Sequence, residues 1–234
     1  MCKQHTLTVK PAVTAANDKG IFGWLRRSWK TYNLPKITGR VFGVPLVRQD
    51  LNNITQACFK TRQGNNAEEQ HAILYKGDIQ NLTPDAIPLI RINSACFTGD
   101  IFHDALCDCN WQLEEALRML DAHDGVGLVI YHFAHEGKAH GYFEKLQSFD
   151  GSMYPVKGDL RDFRTAVAIL KDLGIKRVRS MTNNPEKVAI LGEYGIEVVE
   201  CVGVVSQDPA MAEFYDYKAK KFGHALPTKE DPAV

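Results

Sequence analysis

Three of the chain's six cysteines fall within one short stretch, CFTGDIFHDALCDC, as Cys96, Cys107 and Cys109. A Cys-x-Cys pair presents two sulfurs from a single loop. The step back to Cys96 crosses a Gly-containing turn that can return a third. This spacing permits a metal centre, a disulfide or buried core thiols. If a metal is held by three protein thiolates, its fourth position stays open to water, whose pKa then falls toward about 7. A closed structural zinc, with His103, His132 or His135 as fourth ligand, is the competing arrangement.

Three further clusters carry polar chemistry. His135-Glu136-Gly137-Lys138 follows a strand-like run, where a carboxylate, a glycine and a cation suit a polar ligand; a solvated turn is the plain alternative. In Gly158-Asp159-Leu160-Arg161-Asp162, Asp159 fits a helix N-cap and Arg161 falls in the first turn, where a cation opposes the helix dipole unless an anion visits. In Thr182-Asn183-Asn184-Pro185-Glu186-Lys187, Asn184 as cap and Pro185 at the first helical position explain the Asn-Pro pair. They leave Thr182 and Lys187 free to serve a phosphate or base at the helix N-terminus.

The whole chain sets bounds on these readings. Its 234 residues suffice for a substantial core, and an apolar fraction of 44% with 24% charged residues is that of a globular protein. Lys+Arg and Asp+Glu are equal at 28 each, so no net field calls for nucleic acid or a membrane surface, and an anionic ligand must be met by local charge. No apolar run is long enough to span a bilayer and no signal-peptide core opens the chain, so the expected compartment is the reducing cytoplasm, which weakens the disulfide reading.

The elements that must position these residues read as an α/β fold. Short apolar or alternating runs at His71–Tyr75, Pro88–Ile92, Gly127–Phe133, Arg177–Met181 and Ile196–Val202 predict strands. Helical spacing predicts helices behind an Asn110 cap, over Arg161–Leu173, over Glu186–Tyr194 and over Pro209–Phe222. Arg62-Gln-Gly-Asn-Asn66 reads as a turn between short strands. Residues 1–40 read as an N-terminal arm with a basic-aromatic patch at Phe22–Lys30, residues 41–226 as the catalytic domain and 227–234 as a tail.

Taken in order, Arg91-Ile-Asn-Ser-Ala-Cys96-x-Thr-Gly-Asp100, Cys107-Asp-Cys109-x-x-Gln112-Leu-Glu114, Glu136-Gly137, Asp159-x-Arg161-Asp162-Phe163 and Thr182-Asn-Asn-Pro-x-Lys187 resemble GTP cyclohydrolase II over roughly residues 70–202. The resemblance implies a mixed sheet with alternating helices, and zinc-dependent opening of the guanine imidazole ring of GTP. Formate and pyrophosphate leave, and a diaminopyrimidinone ribosylamino phosphate remains as a riboflavin precursor. It also implies one zinc per chain on Cys96, Cys107 and Cys109, with Asp159 as proton acceptor and Arg161 at the α-phosphate. An always-protonated arginine suits charge stabilisation there better than a covalent role. Arg91, Lys138 and Lys187 would meet the phosphates with magnesium bridging them, and Gln112, Glu136 with Gly137, and Thr182 would contact the base or the zinc-bound water. The family's homodimeric state is implied as well.

The departures bear on substrate. Where the family has Arg-Gln-Glu-Gly-Arg-Gly-Ile-Gly, this chain has Ala134-His-Glu-Gly-Lys-Ala-His-Gly141, and Lys138 lacks the bidentate fork of arginine. A family tyrosine falls at Phe149, with Tyr154 nearby, and the connection from Phe149 to Asp159 is short. Two alternatives therefore stand beside GTP hydrolysis: a divergent cyclohydrolase for another purine or pyrimidine nucleotide, and a non-catalytic nucleotide-binding paralogue.

Overall fold

The computed structural model describes residues 34–151, 154–224 and 226. Seven strands form one mixed sheet in the order β1-β2-β3-β5-β4-β6-β7: β1 Lys36–Pro45, β2 Thr55–Arg62, β3 Glu69–Lys76, β4 Leu89–Ser94, β5 Gly127–His132, β6 Arg177–Met181 and β7 Glu197–Val202. β1, β2, β3 and β5 pair antiparallel, and β5, β4, β6 and β7 pair parallel. The helices are α1 Phe97–Asp100, α2 Cys109–Ala122, α3 Tyr142–Gln147, α4 Arg164–Asp172, α5 Pro185–Glu193 and α6 Ala212–Phe222, with 3-10 turns at Phe133–Ala139 and Pro209–Met211.

Residue pattern explains which strand goes where. β2 and β3 alternate, burying Ala57, Phe59, Thr61 and His71, Ile73, Tyr75 on one face, as antiparallel strands with one wet face do. In β4 and β5 the two faces are both covered, so Leu89-Ile-Arg-Ile92 and Leu128-Val-Ile130 are buried without alternation. Ile90, Ile92, Leu128, Ile130 and Val178 pack with Val167 and Leu170 of α4 and Leu191 of α5. Leu89, Val129 and Met181 pack on the other face with Ala116, Leu117 and Leu120 of α2. Each large apolar side chain taken fully out of water contributes about 1.5–3 kcal/mol, which is what holds these helices to the sheet.

That division places the site. The connection leaving β4 runs to α2 on one face, while those leaving its neighbours β5 and β6 run to α4 and α5 on the other. The carboxyl end of β4 is therefore the switch point of the sheet, the place where open α/β sheets bind ligands.

Several expected boundaries moved. α2 is capped at Asp108, not Asn110, so Cys109 is already its first helical residue. α4 starts at Arg164 instead of Arg161, because Asp162 Oδ1 accepts the Arg164 N–H; Asp159 and Arg161 lie in the preceding loop, and the first-turn dipole argument for Arg161 does not apply. The Asn184 cap with Pro185 at the first position is as expected, Asn184 Oδ1 accepting from Glu186 N–H at 2.9 Å. The turn after Arg62 is present, with Asn66 N–H donating to Gln63 O. β1 begins at Lys36, inside the stretch read as an arm. The Phe22–Lys30 patch and the tail lie outside the described residues.

Candidate active site

Cys96 follows β4, α1 makes the turn, and Cys107 and Cys109 return at the start of α2. All three sulfurs lie within 4.8 Å of one another, Cys96 Sγ and Cys107 Sγ being 3.6 Å apart, and all three thiols are free, which removes the disulfide reading. Gly99 makes the convergence possible: a Cβ there would stand 3.0 Å from Cys107 Sγ and Cys109 Cβ and 3.3 Å from Cys96 Sγ. Asp100 Oδ2 accepts from the Cys96 N–H at 3.0 Å and from Tyr131 O–H at 2.6 Å, pinning the cysteine turn to β5.

Among the described residues this metal-capable group consists of the three cysteines alone. His103, His132 and His135 lie outside this group, so none of them closes the site. The S–H groups of Cys107 and Cys109, followed by the nearby Lys145 ammonium, hold the Cys96 thiol well below its ordinary range. Hydrogen bonding to Cys107 and Cys96, together with burial, pushes Cys109 well up. The cluster without metal thus accommodates one thiolate more readily than three, and a divalent soft-tolerant cation is the group that would let all three ionise together.

Glu136 is buried at 4% exposure, which excludes the solvated-turn reading of His135–Lys138. Its Oε2 accepts from the Phe97 N–H, next to the first cysteine, and its Oε1 pairs with Lys145 Nζ at 3.0 Å. Gly137, Lys138 and Ala139 all adopt positive φ, at 56°, 55° and 66°. The Lys138 carbonyl accepts from Leu160 N–H at 3.1 Å and so ties this turn to the Asp159–Arg161 loop. Burial lowers the Lys138 pKa, with the Asp159 carboxylate opposing.

Asp159 and Arg161 form a fork: Arg161 Nε donates to Asp159 Oδ1 at 2.8 Å and Nη2 to Oδ2. Burial raises the Asp159 carboxyl, but the Arg161 hydrogen bond and charge outweigh it and hold it below the usual carboxylate range. Arg161 Nη1 also donates to Ser94 Oγ at 3.3 Å, and Ser94 Oγ lies 3.2 Å from His135 Nδ1. A guanidinium only donates, so Ser94 Oγ accepts from Arg161 and bridges it to His135. His135 stacks on His132 at 4.5 Å between centroids, and His132 Nδ1 meets His71 Nδ1 at 3.0 Å. Burial holds His71 down to about 4 and His135 down to about 3, so both are neutral near pH 7.

Cations gather beside the thiols. Arg91 Nε donates to Asn93 Oδ1 and Nη2 to Gln112 Oε1, both at 2.9 Å. Gln112 Nε2 donates to Asp108 Oδ2 at 2.6 Å, which also accepts from Tyr215 O–H at 2.8 Å; Lys218 Nζ stands 3.4 Å from Asp108 Oδ1. Gln112 thus bridges Arg91 and Asp108. Lys187 Nζ donates to the Ile92 carbonyl at 2.8 Å, and both it and the Arg161 guanidinium sit over the Phe163 ring, at 5.4 and 5.1 Å. Burial, then the charges of Arg161 and Arg91, push the Lys187 pKa well down. An arriving anion would relieve that repulsion. Thr182 Oγ1 accepts from Asn184 N–H at 3.1 Å, shaping the turn that presents Lys187.

The three cysteines, Arg91, Gln112, Glu136, Asp159, Arg161 and Lys187 are thus linked by contacts around the carboxyl end of β4, while Thr182 contacts its own turn. Sequence reasoning missed Lys145, Asp108, Tyr215, Lys218 and the contact of His71 with His132 and His135, which only tertiary structure brings in. Together they define the class: an α/β protein with a three-thiol metal-capable centre beside a buried cation cluster.

Comparison with known proteins gives the family. Residues 46–203 match the family model of GTP cyclohydrolase II. The chain is 38% identical over 176 residues to the GTP cyclohydrolase-2 of Haemophilus influenzae, covering 70% of this chain and 80% of that protein. It is 40% identical over 168 residues to that of Salmonella typhimurium, covering 67% and 83%. With the riboflavin biosynthesis protein RibBA of Chlorobium phaeovibrioides it shares 37% identity over 171 residues, covering 68% of this chain and 40% of the relative. The chain belongs to the GTP cyclohydrolase II family.

Proposed function

We propose that this chain hydrolyses GTP in the manner of its relatives, leaving a riboflavin precursor. Water adds at C8 and opens the imidazole ring, a second water releases formate, and a third takes the place of pyrophosphate at the α-phosphorus. The observation that carries the reading is the meeting of three cysteine sulfurs with buried Arg91 and half-buried Arg161 and Lys187 around the end of β4.

Cys96, Cys107 and Cys109 fit one zinc per chain: three thiols, a glycine that leaves room for them, and a lysine against one sulfur. Bound there, zinc supplies Lewis acidity and brings the pKa of a water toward about 7. Glu136, held by Phe97 N–H and Lys145, presents a fixed carboxylate for the base edge. Gly137 beside it lets the turn take its positive φ, and Gln112 and Thr182 offer further polar contacts to the ring. Asp159, kept ionised by Arg161, takes a proton from attacking water, and Arg161 donates to the charge that develops at the α-phosphate. Arg91, Lys138 and Lys187 face the remaining phosphate charge, and magnesium arrives with the triphosphate as part of the substrate.

The reading includes a homodimer, supported by exposed Phe102, Phe133 and Phe143 near the site. It also includes a cytoplasmic setting; no described helix is long and apolar enough to cross a membrane.

The test is to incubate zinc-loaded protein with GTP and magnesium and to follow formate, pyrophosphate and product mass. Formate with a matching ring-opened monophosphate is expected; no formate from the zinc-loaded protein overturns the proposal. A second reading, another nucleotide ring, is favoured by Phe149 and the changed 134–141 turn. A panel of purine and pyrimidine nucleotides separates the two by which ring turns over fastest.

A further inference from the structure

The short helix α3 is inside out. It exposes Phe143 and Leu146, at 71% and 44%, and buries Lys145 at 6%. Lysine is almost never buried without a partner, and burying it in preference to two large apolar neighbours runs against the hydrophobic effect. Strong compensation is required, and the structure shows it on three sides of the ammonium. Nζ lies 3.0 Å from Glu136 Oε1, 3.2 Å from Cys96 Sγ, and 5.4 Å from the centroid of the Tyr154 ring. Gly137 lets α3 approach this closely, since a Cβ there would come 3.2 Å from Lys145 Cβ.

We propose that Lys145 is a positioning residue that sets the charge of the cysteine centre: its ammonium holds Cys96 and Glu136 together and, through Cys96, raises the affinity of the site for a divalent metal. This inference rests on the zinc reading above. Three thiolates around a divalent cation leave one surplus negative charge in a poorly solvated place. An ammonium in contact with one of the sulfurs offsets it, and such outer partners typically change metal affinity by about 10–100-fold. Contact with Cys96 places that effect on the ligand sulfur itself. Contact with Glu136 gives the same lysine a second task, fixing the carboxylate beside Phe97 where the cysteine turn begins.

The experiment is zinc binding by competition with a chromophoric chelator, on the full chain, for wild type, Glu136→Gln, Lys145→Met and the double variant Lys145→Met/Glu136→Gln. Lys145→Met alone leaves a buried carboxylate unpaired and can cost the fold. The double variant removes that carboxylate's charge, so the decisive comparison is the double variant with Glu136→Gln. The expected result is one zinc per wild-type chain and a roughly 10–100-fold weaker affinity in the double variant than in Glu136→Gln. Cobalt(II) as probe adds a readout independent of turnover: at saturation the thiolate charge-transfer absorption stays in place while the half-saturation point moves to higher cobalt. Equal zinc affinity in those two proteins overturns the role of Lys145, as does loss of the charge-transfer band at saturating cobalt. Wild type that takes up no zinc overturns the zinc reading first.

Discussion

Lowering the pH from 7 to 5 should destabilise this protein through its buried histidines. His71 and His132 are fully buried and His135 is 5% exposed. His71 is bounded by Thr61 Oγ1 at 2.9 Å and by His132, and His135 by Ser94, Phe163 and the charges of Arg161, Lys187 and Asp159. Burial holds His71 down to about 4 and His135 down to about 3, against 6.5 in an exposed chain. Below pH 6.5 the unfolded chain binds protons that the folded one refuses. Stability is therefore present above that value and is lost as pH falls toward about 4. Between pH 7 and pH 5 each such histidine withdraws about 1.8 kcal/mol, so His71 and His135 together remove about 3.5 kcal/mol, a large share of a typical domain's stability. Urea unfolding at the two pH values, on protein stripped of metal by chelator, measures this directly. The control is His71→Asn, which cannot titrate and should lose about 1.8 kcal/mol of the pH dependence. A wild-type difference under about 1 kcal/mol, or a His71 ring proton titrating near 6.5 by NMR, would refute the reasoning.

Three further outcomes follow from the same geometry. Gly99→Ala should fold, yet bind less than one zinc per chain by elemental analysis, because the added Cβ meets Cys107 Sγ at 3.0 Å and Cys96 Sγ at 3.3 Å. Ala139→Gly should raise stability by about 1 kcal/mol in urea unfolding, since Ala139 is held at φ 66°, a left-handed conformation that favours glycine. Tyr154→Phe should lose the bond from its hydroxyl to Asp104 Oδ2 at 3.1 Å and lower turnover more than it raises KM if that hydroxyl stands in for the tyrosine replaced by Phe149, whose ring lies 5.0 Å away; steady-state kinetics separate the two parameters.

What was legible in the sequence was what short-range chemistry decides. Arg177–Met181 reads as a strand because its side chains alternate locally, and Asn184-Pro185 reads as a helix start because the cap bond is made two residues away. The pair Asp159 and Asp162 misled because either carboxylate fits an N-cap. Asp162 takes the Arg164 N–H, while Asp159 is drawn off by the Arg161 fork. β1 was invisible for another reason: it is a largely exposed edge strand with two register shifts, so no period survives in its sequence. Cys96, Glu136, Arg161 and Lys187 could be picked out because their types are chemically loaded. Asp108 could not, since its partners Tyr215 and Lys218 arrive from the far end of the chain.

The arrangement around the carboxyl end of β4 explains why charges that would be costly singly are tolerated together. Thiols, Glu136, Asp108 and Asp159 face Lys145, Arg91, Lys187, Lys218 and Arg161, with Lys187 and Arg161 bonding β4 and Arg91 and Lys218 meeting the start of α2. β4 contributes to both, since Arg91 points to the α2 face with Gln112 while the Ile92 carbonyl receives Lys187. Period-two alternation in one strand thus sends its cation to one face of the sheet and leaves its backbone to orient a second. On the proposed function, a phosphate-bearing ligand at the carboxyl end of β4 would meet Arg161 and Lys187, both over the Phe163 ring, and would relieve the repulsion between them.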